Sequence, residues 1–131
     1  MSDHAMGRHG ACSWCELMTT DVQAATQFST ALLGWTTEAV PGMAYTVVHP
    51  GGVGIGGIMA IPSQAAGAPS RWGTYGTVDD VDATARKAQA LGATTIVPLT
   101  DIPNVGRFYT FQDPQGAVIS ILTYRLEGPP S

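Results

Sequence analysis

The sequence predicts an α+β fold made of two copies of a βαβββ unit, and three observations predict it. First, residues 109–122 read as two strands joined at Asp113-Pro114-Gln115-Gly116, where proline presets φ and glycine allows φ > 0. Second, residues 45–58 align with that stretch without a gap. Tyr45/Tyr109, Thr46/Thr110, Pro50/Pro114, Gly52/Gly116 and Ile55/Ile119 recur at the same offsets, which marks an internal repeat. Third, the repeat extends upstream. Asp21-Val22 opens a segment that ends at Leu33-Gly34, and Asp80-Val81 opens one that ends at Leu91-Gly92.

Those upstream segments predict helices over about 21–33 and 80–91. Aspartate stands where its carboxylate can accept from orphan backbone N–H groups, and glycine where a left-handed residue closes the helix. Apolar residues fall at helical spacing between them: Val22, Ala25, Phe28 and Leu32, then Val81, Ala85, Ala88 and Leu91. A short strand precedes each helix, roughly 12–18 and 72–78. The copies span 11–62 and 71–124 within one domain, with 63–70 as linker. Residues 1–10, with His4 and His9, are expected to fray as a solvated tail. Thr100–Arg107 is an insertion that the first copy lacks, and functional residues often ride on such loops.

Cys12-Ser13-Trp14-Cys15 matches C-x-x-C, but on a strand. At ~3.3 Å per residue the Cα atoms stand about 10 Å apart, beyond the ~7 Å limit of a disulfide. The same strand places Trp14, Glu16 and Met18 on one face and Cys15 and Leu17 on the other. A buried, unpaired glutamate is costly. Either that face meets solvent in a cleft, or Glu16 has a partner such as Arg107 or a backbone N–H. Gly52–Gly57 fits G-x-G-x-x-G, but a strand pattern follows it, so no helix N-terminus awaits a pyrophosphate. Those glycines instead mark a place where something bulky approaches the backbone. Phe28, Trp35 and Phe111 are read as core.

Charged residues make up 12% of the chain, with a formal net charge of −4 and only six Lys and Arg, which argues against nucleic acid. No apolar run approaches the roughly 20 residues of a membrane span, and Met1–Gly10 lacks an apolar secretory core. A cytoplasmic protein is expected.

The motifs SWCELMTTDVQAATQF…LLGW, VDDVDA…ALGA, DIPNVGRF and DPQGAVISIL resemble the vicinal oxygen chelate superfamily of glyoxalase I, bleomycin-resistance proteins and extradiol dioxygenases, over residues 10–124. They are closest to its glyoxalase-related subgroup. The resemblance implies that the two units pair into a curved mixed sheet around one cleft. It also implies a homodimer and a small-molecule ligand. The metal enzymes of the superfamily take ligands seven residues before each helix-opening aspartate and four after each turn glycine. Those positions carry Trp14, Gly73, Gly56 and Ser120 here, so no metal and no cofactor is expected. Ser29 stands where relatives often have tyrosine. The expected ligand-binding residues are Trp14, Met18, Tyr75, Arg107, Tyr109 and Ser120, with Glu16 as the catalytic candidate. Two readings stay open: a binding protein without turnover, or a lyase, isomerase or hydroxylase using Glu16, a cleft tyrosine or a non-standard metal site.

Overall fold

The structure is a computed structural model and describes residues 2–42, 44–52, 54–63, 66–102 and 105–125. The elements run α1 (Ser2–Gly7), β1 (Cys12–Thr19), α2 (Val22–Leu33), β2 (Thr37–Ala39), β3 (Thr46–Val48), a 3-10 turn (Pro50–Gly52), β4 (Gly56–Ala60), β5 (Arg71–Thr77), α3 (Val81–Ala90), β6 (Thr94–Ile102), β7 (Gly106–Gln112) and β8 (Val118–Tyr124). The fold is α+β, and strand–helix–strand–strand–strand occurs twice. The chain forms two compact units, residues 14–73 and the described residues on either side of them.

In the unit of residues 14–73, β1 runs parallel to β4, with Glu16 opposite Gly57 and Leu17 opposite Ile58. β3 lies antiparallel to β4, and β2 to β3. Leu17, Val48 and Ile58 form the core, with Val22, Ala25 and Trp35 packed on it. Asp21 Oδ1 accepts from the Ala24 N–H at 3.0 Å, and Gly34 closes α2 at φ 69°. The buried face of α2 is Val22, Ala25 and Ser29. The stripe expected through Phe28 and Leu32 is corrected: those side chains are 68% and 64% exposed. Ser29 lies seven residues from Val22, almost two full turns, whereas Phe28 is rotated well away.

In the other unit, β5 runs parallel to β8, with Tyr75 opposite Ser120, and β7 and β6 follow antiparallel. Val78, Val81, Ala85, Tyr109 and Ile121 form its core, with Ala88 and Phe111 packed on it. Asp80 caps α3 through the Ala83 N–H at 3.2 Å. Leu91, expected on the buried stripe, follows the helix and is 69% exposed. The turn at Asp113 forms as its residues predict. Asp113 Oδ1 accepts from the N–H groups of Gln115 and Ala117 at 2.9 Å, and Gly116 takes φ 96°. Of the expected insertion Thr100–Arg107, residues 100–102 and 106–107 extend the β6–β7 hairpin, and residues 103 and 104 lie outside the described ones.

The N-terminal segment departs from the expected frayed tail. Ser2–Gly7 is helical, Gly10 donates to the Thr77 carbonyl at 2.7 Å, and Thr77 Oγ1 donates to the Ala5 carbonyl at 2.6 Å. His9 Nδ1 accepts from the Asp79 N–H at 2.9 Å. Backbone pairing to a buried threonine holds this stretch, and polarity alone did not reveal it. Among the described residues no helix is long and apolar enough to cross a membrane.

Candidate functional site

The strand alternation read from the sequence sets the site. Cys15 and Leu17 point to the side of β1 that carries α2, and Glu16 points to the other. Glu16 is buried, 8% exposed, so its carboxylate needs a partner. The structure supplies Tyr45, whose hydroxyl donates to Glu16 Oε2 at 2.6 Å. Trp14 Nε1 in turn donates to the Tyr45 hydroxyl at 2.9 Å. One phenol thus accepts from an indole and donates to a carboxylate, the charge-assisted bond being the shorter.

One glycine makes room for this chain and a second lies against it. A Cβ on Gly57, directly opposite Glu16, would land inside the Tyr45 ring. A Cβ on Gly54 would lie 3.5 Å from the Trp14 ring. The bulky groups that the glycine run was expected to admit are these two side chains. Met18 shares the Glu16 face and is half-buried. On the opposite face, Cys15, Trp35, Ile55 and Trp72 bound an apolar hollow, where Trp35 and Trp72 meet edge to face at 6.0 Å. Its lining carries no charged side chain and no hydroxyl. Both cysteines are free.

The other unit carries the remaining candidates on two faces. Tyr75, Phe108, Thr110 and Ser120 share one. Tyr75 and Phe108 pack edge to face at 6.2 Å, and the hydroxyls of Thr110 and Ser120 bond at 2.7 Å. Arg107 and Tyr109 take the opposite face. Tyr109 is a core residue, 1% exposed, stacked on Phe111 and bonded to Thr95 Oγ1 at 2.5 Å. Arg107 pairs with Asp101 at 2.8 Å and Asp82 at 3.2 Å. The Arg107 guanidinium holds the Asp101 carboxyl below its ordinary value, and the two aspartates raise the pKa of Arg107. Burial raises the Tyr124 hydroxyl, opposed by a bond to Ser13 at 2.7 Å. The partner expected from Arg107 is corrected: that guanidinium is engaged by Asp101 and Asp82, and Glu16 is held by a residue the sequence reading missed, Tyr45. Its signal was present: an aromatic residue two positions from Val47, which lies opposite Gly57.

The ladders also correct the gap-free repeat alignment by one residue. Thr46 faces Ile58 where Tyr109 faces Ile121, so Phe108 stands at the position of Tyr45 and Ser120 at that of Gly57. The loop of residues 49–55, with its Pro50–Gly52 turn, is two residues longer than residues 113–117 and moves the hairpin apex by one. By this register the counterpart of Ser120 is Gly57 rather than Gly56, a glycine in either case. The chemistry at these positions does not suit a metal ion. The Trp14 indole only donates, Gly57 and Gly73 have no side chain, and the neutral Ser120 hydroxyl is bonded to Thr110. Among the described residues no three His, Cys, Asp or Glu side chains gather as a metal site needs.

The repeated βαβββ unit defines a class of fold, and likeness to known proteins names the family. The model of the Glyoxalase/Bleomycin resistance protein/Dioxygenase superfamily matches residues 11–121, and the chain belongs to that family. CFP32 of Mycobacterium tuberculosis, which carries the provisional name glyoxylase, is 42% identical over 116 residues, 86% of this chain and 44% of the relative. The anthracycline biosynthesis protein DnrV of Streptomyces peucetius is 30% identical over 127 residues, 86% of this chain and 46% of its own length. The chain spans less than half the length of these curated relatives. A methylmalonyl-CoA epimerase of Streptomyces coelicolor shares the fold, with a TM-score of 0.64 at 14% identity over 90% of this chain and 99% of that one.

Proposed function

We propose that the chain binds a planar, hydroxylated small molecule on the β1 face of Trp14, Glu16 and Met18, without a metal at the family's usual positions. One observation carries the reading: a buried carboxylate, held by Tyr45, lies beside the flat apolar surface of a half-buried indole. Trp14 offers stacking area, and Glu16 offers an acceptor for a ligand O–H. The name of DnrV supports an aromatic ligand, since anthracyclines are planar hydroxylated quinones. In the other unit, taken by itself, Tyr75 and Ser120 lie on the equivalent face and Arg107 and Tyr109 on the opposite one. Self-association as a homodimer belongs to the same reading, supported by Phe28 and Leu32, which α2 leaves exposed. So does a cytoplasmic setting.

The buried acid also favours a second reading, an enzyme of lyase or isomerase type in which Glu16 takes a proton from the ligand. The provisional name of CFP32 supports it. Titration of tryptophan fluorescence with 1,4-dihydroxyanthraquinone tests both. Saturable binding weakened about tenfold or more in Glu16→Gln is expected, the loss of a charge-assisted bond. Equal binding by the two proteins overturns the role of Glu16. A change in the anthraquinone spectrum with time, absent in Glu16→Gln, selects the enzyme.

A further inference from the structure

The two halves of this chain are an internal control. In one, Glu16 lies opposite Gly57, and Tyr45 crosses Gly57 to reach the carboxylate. In the other, the equivalent positions hold Tyr75, Ser120 and Phe108. There the aromatic ring packs on Tyr75, and Ser120 bonds to Thr110 instead. The same strands therefore form with no acid, no phenol at the tyrosine position and no glycine at the crossing. Packing of the βαβββ unit does not demand the Glu16–Tyr45–Gly57 combination. A buried carboxylate is an expensive feature to keep without a use.

We propose that Tyr45 is a positioning residue for Glu16, that Gly57 is the opening through which it acts, and that the chain holds one such device rather than two. This rests on the reading of Glu16 as the group that meets the ligand. The Tyr45 hydroxyl fixes Glu16 Oε2, and the Trp14 indole fixes that hydroxyl. The acceptor and the stacking surface are thus locked to each other through Tyr45, which cuts the ordering cost of binding.

Tyr45→Phe is the test, since the other half shows phenylalanine at this position in the same fold. Without ligand, the Trp14 indole N–H is followed by NMR. Its hydrogen exchange is expected to speed up roughly tenfold in Tyr45→Phe, as its acceptor is gone. With 1,4-dihydroxyanthraquinone, Tyr45→Phe, Glu16→Gln and the double variant are compared. Tyr45→Phe should lose several-fold in affinity, and the double variant should bind no more weakly than Glu16→Gln, because Tyr45 acts only through Glu16. Losses that multiply in the double variant would assign Tyr45 a separate structural or binding role and overturn the proposal. An unchanged indole signal in Tyr45→Phe would overturn it as well. If the wild type ignores the anthraquinone while the indole signal responds as expected, the ligand class fails and the positioning chain stands.

Discussion

The Tyr45 hydroxyl reaches the Glu16 carboxylate at 2.6 Å by crossing over Gly57, the residue paired with Glu16 on the neighbouring strand. Hydrogen bonds to charged groups contribute about 1.5–3 kcal/mol. Tyr45→Phe keeps the ring and removes this bond, so it should cost about 1–2 kcal/mol in urea unfolding without changing the slope of the transition. A loss below about 0.3 kcal/mol would mean that water replaces the phenol without penalty.

Gly57→Ala is expected to be the more damaging change, although it adds a single methyl group. That methyl would occupy the space of the Tyr45 ring. Overpacking of this kind costs about 1–3 kcal/mol, and expulsion of the ring would leave Glu16 without its phenol. Adding Tyr45→Ala to Gly57→Ala should recover part of the thermal stability, whereas strictly additive losses would contradict the steric account.

Tyr109 is predicted to matter for stability and not for ligand binding. Among the described residues it is the largest fully buried side chain of its unit, packed with Val78, Val81 and Ile121. Tyr109→Ala should cost about 3–5 kcal/mol. Tyr109→Phe should cost about 1 kcal/mol, from the lost bond to Thr95. Unchanged affinity for 1,4-dihydroxyanthraquinone in Tyr109→Phe is the accompanying expectation, checked in the same fluorescence titration.

What was legible in the sequence follows the periodicities. Strand alternation put Glu16, Trp14 and Met18 on one face correctly, because a two-residue period tolerates no drift. Aspartate and glycine fixed the ends of both helices, because capping chemistry is local. The helix faces were read less well. Phe28 and Leu32 fit a loose i, i+3, i+4 count, yet Ser29, a small polar residue, takes the buried place. Tyr45 escaped because the gap-free repeat matched it to Tyr109, a core residue. Only the hairpin register shows that its counterpart is Phe108. Nothing local in the sequence states that Arg107 and Tyr109 lie on the face of β7 that carries α3.

Acid should remove one specific contribution. The folded-state pKa of Asp101 lies below its ordinary value of 3.8, because Arg107 bonds to the charged form. A depressed carboxylate stabilises the fold above the unfolded pKa, and that contribution is lost as pH falls through the folded value. The Tm difference between wild type and Asp101→Asn should therefore be constant from pH 7 down to about pH 5, and shrink below about pH 4. A difference that persists unchanged at pH 2 would show that the side chain acts through something other than its charge.

The most direct measurement of the central claim is where an aromatic ligand settles. The unit of residues 14–73 offers two aromatic surfaces on opposite faces of β1: Trp14 beside Glu16, and the hollow edged by Trp35 and Trp72. Intermolecular NOEs between 1,4-dihydroxyanthraquinone and the three tryptophan indoles distinguish them. Contacts to Trp14 and the Met18 methyl, lost in Glu16→Gln, are the predicted result. Contacts confined to Trp35 and Trp72, unaffected by Glu16→Gln, would contradict the account.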